Sequence, residues 1–79
     1  MDLSKAKMIE LALKQFLPEG SNIKINHATK HDPVISGVTG TFQGPLKSTV
    51  LNNVLECVAI TKCEYSIYRS GTGLTIKFE

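Results

Sequence analysis

The segment with the most suggestive chemistry is glycine-rich and covers residues 37–48. Glycines leave backbone amides free to contact a phosphate, and Lys47 precedes a predicted helix. A phosphate-binding loop, however, requires Lys directly after its last glycine, in the order G-x-x-x-x-G-K-[ST]. Pro45 and Leu46 intervene after Gly44, and Pro45 has no amide hydrogen. We therefore interpret the segment as a strand with a bulge followed by a helix start, which leaves at most a weak anion site at the first helical amides.

The chain has one group of neighbouring residues that could bind a metal, formed by His27, His31 and Asp32. The H-x-x-x-H spacing brings two imidazoles to one face only in a helix, whereas these residues belong to a predicted strand and turn. A zinc site needs three or four converging ligands, and Cys57 and Cys63 lack C-x-x-C spacing. The sequence therefore predicts neither a metal site nor a cofactor.

Residues suited to catalysis are equally sparse. A cysteine nucleophile needs a base and an open site, but Cys57 lies next to the apolar stripe of a predicted helix, where we expect it to be core or half-buried, and Cys63 opens a strand on its inward face. The seven acidic residues are predicted to lie on the surface, with no pair placed for acid and base chemistry. A chain of 79 residues that builds a sheet and two helices has little left to enclose a pocket of about 300 Å³ or more. We expect a protein that is not an enzyme.

Two segments have the hydrophobic spacing of amphipathic helices. Apolar residues recur every three or four positions over residues 2–17, where Asp2 or Ser4 can accept a hydrogen bond from the first-turn amides. A second stripe of the same kind ends at Val58, and either Ser48 or Thr49 is placed to cap that helix. Each helix is therefore expected to bury one side.

Four further segments alternate apolar and polar residues, which is typical of strands with one buried face. In the second of them, alternation places Val38 and Phe42 inward, and Ile35 outward. The glycines at 37 and 40 weaken this strand and suggest a bulge. The four predicted strands cover residues 23–29, 34–42, 63–69 and 74–79.

The order helix, strand, strand occurs twice, which predicts a single α+β domain over residues 1–79. A two-layer sandwich buries all the apolar faces by placing both helices on one side of a four-stranded antiparallel sheet. The same order is a circular permutation of the ferredoxin-like βαββαβ arrangement, with the first strand moved to the end. Strands 34–42 and 74–79 are then central, with Val38 against Ile76. The alternative is two hairpins side by side in chain order.

Composition and charge place few limits on the partner. The net charge is +2, and the nine Lys and Arg residues form no run, so no strong electrostatic partner is expected. The sequence shows no signal peptide pattern and no apolar run of about 20 residues that could span a membrane. Two cysteines are too few for a secreted disulfide scaffold, so the expected location is the cytoplasm.

These exclusions favour a small non-enzymatic protein-interaction module that acts as a regulator, adaptor or inhibitor, of a size that phages and mobile elements encode. Its partner is predicted to be another protein or a second copy of the chain, as a homodimer. The edge strand near residues 22–29 offers backbone groups that another strand could join. The residues predicted to bind the partner on the open sheet face are Ile35, Thr39, Thr41, Tyr68 and Lys77.

The alternative is a weak nucleic-acid-binding domain. RNA-recognition domains stack bases on aromatic residues of the two central strands, but the outward positions of those strands carry no aromatic residue here. Tyr68 is the single outward ring, which predicts weak and salt-sensitive binding. The residues predicted for this alternative are Lys24, Lys47, Tyr68, Arg69 and Lys77.

Overall fold

The residues that the structure describes form two α-helices and four strands, and each lies within two residues of its predicted bounds. The structure, a computed structural model, describes residues 1–31, 33–44 and 47–79. The elements in chain order are α1 (Leu3–Phe16), β1 (Asn22–His27), β2 (Ile35–Gln43), α2 (Ser48–Val58), a 3₁₀ turn (Ala59–Thr61), β3 (Tyr65–Ser70) and β4 (Gly73–Phe78).

The four strands form one antiparallel sheet in the order β1-β2-β4-β3. This is the order of the permuted ferredoxin-like sandwich, so that prediction is confirmed, and the alternative of two hairpins in chain order is wrong. The central strands β2 and β4 are adjacent as expected. The predicted contact of Val38 with Ile76 is not the observed pairing. Val38 pairs with Phe78, and Ile76 pairs with Gly40, so the register is shifted by two residues.

Helix α1 begins at an N-cap that the sequence predicts. Asp2 has an extended backbone, and its Oδ1 accepts a hydrogen bond of 2.9 Å from the Lys5 amide. The apolar stripe of the helix is buried, with Ile9 and Leu13 fully inaccessible to solvent. Helix α1 packs against β1, β2 and α2. It therefore covers one half of the sheet.

Helix α2 begins without a side-chain cap. Its N-cap residue is Lys47, with an extended backbone (φ −70°, ψ 138°) and no capping hydrogen bond from its side chain. The prediction that Ser48 or Thr49 caps this helix is wrong, because both residues already lie inside the first turn. Lysine has no acceptor to offer the orphan amides. Helix α2 is held instead by its buried residues Val54 and Val58.

The hydrophobic core lies between the helices and one face of the sheet. On that face the central strands contribute six buried side chains, none more than 7% exposed: Ile35, Val38, Phe42, Leu74, Ile76 and Phe78. Gly40 lies directly beneath α1, because a Cβ at this position would stand 2.9 Å from Cδ1 of Leu17. Its missing side chain lets the C-terminal end of α1 pack close to the sheet.

The predicted bulge is present in β2, and it changes which side chains are buried. Asn26 pairs with Gly37 and His27 pairs with Ile35, so Ser36 has no pairing partner in β1. One extra residue reverses the alternation of side chains beyond it. Ile35 is consequently turned into the core, at 7% exposure, and Val34 is 56% exposed. The prediction that Ile35 lies on the open face is wrong for this reason.

No helix in the described ranges combines the length and the apolar character needed to cross a membrane.

Candidate interaction surface

The sheet face opposite the helices is open and mostly polar. Its two central cross-strand rows, read from β1 to β3, are Asn22, Thr41, Thr75 and Tyr68, and then Lys24, Thr39, Lys77 and Ser66. Short polar contacts order this face. The side-chain amide of Asn26 donates to Oγ1 of Thr39 at 2.5 Å, and the hydroxyls of Thr41 and Thr75 are 3.3 Å apart.

The structure brings four of the five predicted partner-binding residues together on this open face. Thr39, Thr41 and Lys77 are half-buried there, and Tyr68 is 56% exposed. Lys77 forms an ion pair with Glu79 at 3.0 Å. The fifth residue, Ile35, lies in the core, so Tyr68 is the one large apolar side chain among the described residues of the two rows.

A second exposed apolar group lies on the other side of β3. Tyr65 and Ile67 pair with Phe78 and Ile76 of β4, so they face the helix layer. Their β4 neighbours are completely buried, whereas Tyr65 is 49% and Ile67 is 38% exposed. The helix layer therefore ends above β4 and leaves β3 largely uncovered. The ring of Tyr65 keeps one contact with the core, since its centroid is 6.2 Å from that of Phe78.

Strand β3 also has a free backbone edge. The amide of Glu79 donates to the carbonyl of Glu64 at 2.9 Å, so Glu64 and every second residue after it direct their backbone groups toward β4. In an antiparallel ladder, every second residue directs its N–H and C=O groups to the neighbouring strand. The amides and carbonyls of Tyr65, Ile67 and Arg69 therefore point away from β4, toward solvent.

We define the β3 edge surface as the side chains of Tyr65, Ile67 and Tyr68 together with the outward backbone groups of β3. The sequence does not indicate Tyr65 and Ile67 as surface residues, because alternation places them on the same inward side of the strand as Cys63 and says nothing about how far the helices cover it. The composition of the strand does, however, indicate an apolar sheet edge. Three of its six residues are large β-forming side chains, and it lies at a sheet edge.

The opposite edge strand, β1, is better protected. Ile23 and Ile25 are half-buried and pack against the core under α1. Lys24 carries a charge on the open side of the same strand, and the bulge in β2 interrupts the regular pairing at His27. Of the two edges, β3 is therefore the one with exposed apolar side chains.

The residues predicted for nucleic-acid binding are only partly brought together. Lys24 and Lys77 lie in one row on the open face with Thr39 between them, and Tyr68 lies in the adjacent row. Arg69 pairs with Leu74 and faces the helix side of β3. Lys47 is at the start of α2, in the other layer. The open face thus carries two of the four predicted cations.

The cysteines and histidines are not arranged around a common centre. Cys57 is an exposed free thiol, so the prediction that it is core or half-buried is wrong, whereas Cys63 is half-buried. Within the described residues, no three His, Cys, Asp or Glu side chains converge to hold a metal ion. His27 and His31 share only a shallow surface depression with Lys30 and Pro33. Asp32, which the sequence groups with them, lies outside the described residues.

The class of protein that fold and surface define is a small α+β sandwich with a polar open face and one apolar edge. Scans of the chain against protein-family models, curated proteins and solved structures returned no match. Function is therefore inferred from the chemistry of the surface.

Proposed function

We propose that this protein is a small non-enzymatic interaction module of the cytoplasm, a regulator, adaptor or inhibitor that binds a protein partner through the β3 edge surface. A single observation carries the proposal. Three large side chains of one six-residue edge strand, Tyr65, Ile67 and Tyr68, are between 38% and 56% exposed. They extend over both sides of the strand, so a partner could contact the strand on either side.

The chemistry of these side chains suits a protein interface. Tyrosines are enriched among residues that dominate binding energy, and burying apolar surface contributes about 25 cal/mol per Å² before the costs of association. The threonines and Lys77 of the open face would then form a polar border beside Tyr68. Unpaired backbone groups at the edge add a second mode of contact, strand addition.

The proposed absence of catalysis and the proposed location have their own support. The described depressions are shallow and border the β1–β2 hairpin, where Lys24, His27, Thr29 and Lys30 line them with no cysteine or serine beside them. The exposed thiol of Cys57 and the half-buried thiol of Cys63 are both free, as is usual for proteins of a reducing compartment.

A capture experiment with matched variants tests this function. The immobilised protein is exposed to a lysate of its source organism beside Tyr65→Ser, Tyr68→Ser and the control Leu11→Ser. Leu11 is 65% exposed on α1, so its variant removes a similar apolar side chain away from β3. We expect proteins bound by the wild type and the control to be lost with both tyrosine variants. Equal recovery by all four proteins would contradict the proposal.

Nucleic-acid binding is the alternative, and the row that contains Lys24 and Lys77 is the observation that favours it. Two cations flanking Thr39, with the Tyr68 ring beside them, could contact a phosphate backbone and stack on one base. A gel-shift series with single-stranded RNA and DNA, starting at about 50 mM salt where phosphate contacts are strongest, decides it. Absence of any shift at that salt concentration excludes the alternative.

A further inference from the structure

We propose that the β3 edge surface binds a second copy of this chain, by antiparallel pairing of β3 with the partner's β3 around a two-fold axis at Ile67. The two four-stranded sheets would then join into one continuous sheet of eight strands. This inference rests on the proposed function, since it names the partner of the same surface.

A partner that pairs with this edge must contribute a β-strand, because the edge presents unpaired backbone groups. Tyr65, Ile67 and Arg69 present a row of outward N–H and C=O groups over a strand of six residues. Proteins usually block such an edge with proline, lysine, a bulge or a covering helix. Strand β3 contains no proline or lysine, its one charged residue, Arg69, lies near its end, its pairing with β4 is regular, and the helix layer leaves it largely uncovered.

The side chains of β3 are complementary to themselves in the antiparallel direction. With the axis at Ile67, that residue faces the partner's Ile67, and Tyr65 faces the partner's Arg69. The first pair is apolar, and the second places a guanidinium beside an aromatic ring, a favourable cation–π arrangement. All three residues direct their backbone groups outward, so this register forms about six hydrogen bonds between the copies.

Charge complementarity favours the same direction of pairing. Glu64 precedes β3 and Arg69 lies near its end, so the strand is acidic at one end and basic at the other. Antiparallel pairing brings each acidic end to the basic end of the other copy. Parallel pairing would set like charges side by side, which is unfavourable between directly opposed strands.

The area available limits the strength of the dimer. The exposed parts of three side chains and one short backbone edge from each copy reach only the low end of specific interfaces, about 1,200 Å² in total. We therefore expect a reversible dimer with a dissociation constant of about 10 to 100 μM. Such a dimer assembles and separates within an ordinary range of protein concentration.

Sedimentation velocity of the full chain from about 1 μM to 1 mM tests the pairing, because this range spans the expected dissociation constant. We expect wild type and the control Leu11→Lys to move from monomer to dimer, and Ile67→Lys to remain monomeric, because two lysines would face each other at the axis. Circular dichroism establishes that the Ile67→Lys variant is folded. A wild type that stays monomeric at 1 mM, or a folded Ile67→Lys variant that still dimerises, overturns the proposal.

Amide exchange provides a second measurement that needs no variant. On raising the concentration, exchange of the amide hydrogens of Tyr65, Ile67 and Arg69 should slow about tenfold or more, while amides of β1 keep their rates. Unchanged exchange at β3 overturns the pairing. A monomeric wild type that captures other proteins through Tyr65 and Tyr68 overturns the pairing but supports the proposed function, and failure of both experiments contradicts both.

Discussion

Gly37 lies beside the bulge of β2, where the backbone of β4 passes very close. A Cβ at this position would collide with the carbonyl oxygen of Phe78, which is a rigid backbone atom. We therefore expect Gly37→Ala to lower the free energy of unfolding by about 2 kcal/mol or more. Urea unfolding measures the loss. The neighbouring Ser36→Ala should change stability by no more than about 0.5 kcal/mol, since Ser36 is exposed and loses only a long, solvent-exposed hydrogen bond of 3.3 Å from its hydroxyl to the Asn26 carbonyl.

Ile35 provides the second prediction at the scale of a residue, because its burial depends on the bulge. Ile35→Ala should cost about 2 to 4 kcal/mol, the usual range for truncating a buried isoleucine. Val34→Ala next to it should cost less than about 0.5 kcal/mol, because that side chain is exposed. Urea midpoints of the two variants distinguish the burial pattern with the bulge from regular alternation, which predicts the opposite order.

The candidate site could be predicted residue by residue only where the strands are regular. Thr39, Thr41, Lys77 and Tyr68 lie where alternation places them, because no irregularity separates them from the core residues of the same strands. Ile35 does not, because two glycines can indicate a bulge without showing which residue is the extra one. That position is set by the pairing with β1.

The start of α2 provides a prediction at the scale of an element. Lys47 already has the extended backbone of an N-cap but no acceptor for the orphan amides. Lys47→Asp should stabilise the protein by about 0.5 to 1 kcal/mol, because the carboxylate can accept a first-turn hydrogen bond and lies at the positive end of the helix dipole. Thermal and urea unfolding measure the gain in the free energy of unfolding. The control Lys47→Ala, which has no acceptor, should raise this free energy by no more than a few tenths of a kcal/mol. An alanine variant as stable as the aspartate variant would contradict this account.

The elements themselves could be predicted well, because helix and strand periodicity are local properties of the sequence. The exposure of the β3 side chains, by contrast, could not be predicted from the sequence. Alternation assigns Tyr65 and Ile67 to the helix side, and the pairing with β4 agrees. Their exposure depends on how far the two packed helices extend across four strands, which is a tertiary distance with no local signature.

The sheet order provides a prediction for the whole molecule. The amino group of Met1 donates to the carbonyl of Ile35, and Cα of Glu79 lies next to Gly37, so both ends of the 79-residue chain meet the same part of β2. Joining them with about six Gly and Ser residues and opening the turn at Gly71 should give βαββαβ order with the fold retained. Circular dichroism and a cooperative urea transition check the result, and a permutant without cooperative unfolding would contradict the assigned topology.

At this scale the architecture could be predicted and the register could not. Four amphipathic strands and two amphipathic helices bury their apolar sides in few ways, so the sandwich and its central pair of strands follow from the pattern. Val38 nevertheless faces Phe78 and not Ile76. A shift of two residues keeps every side chain on the same face, so the hydrophobic pattern cannot distinguish the two registers.

The extra residue Ser36 lets β2 carry one more residue than the strand beside it without displacing its apolar side chains. Gly37 pairs with Asn26 and Ile35 pairs with His27, so the residues on either side of Ser36 already occupy consecutive positions of the ladder. A chain without Ser36 would therefore keep Ile35 on the core side and pair regularly with β1. The strand thus tolerates a change of length at position 36, whereas loss of a residue from its regular part, such as Thr39, would turn the side chains beyond it to the opposite face.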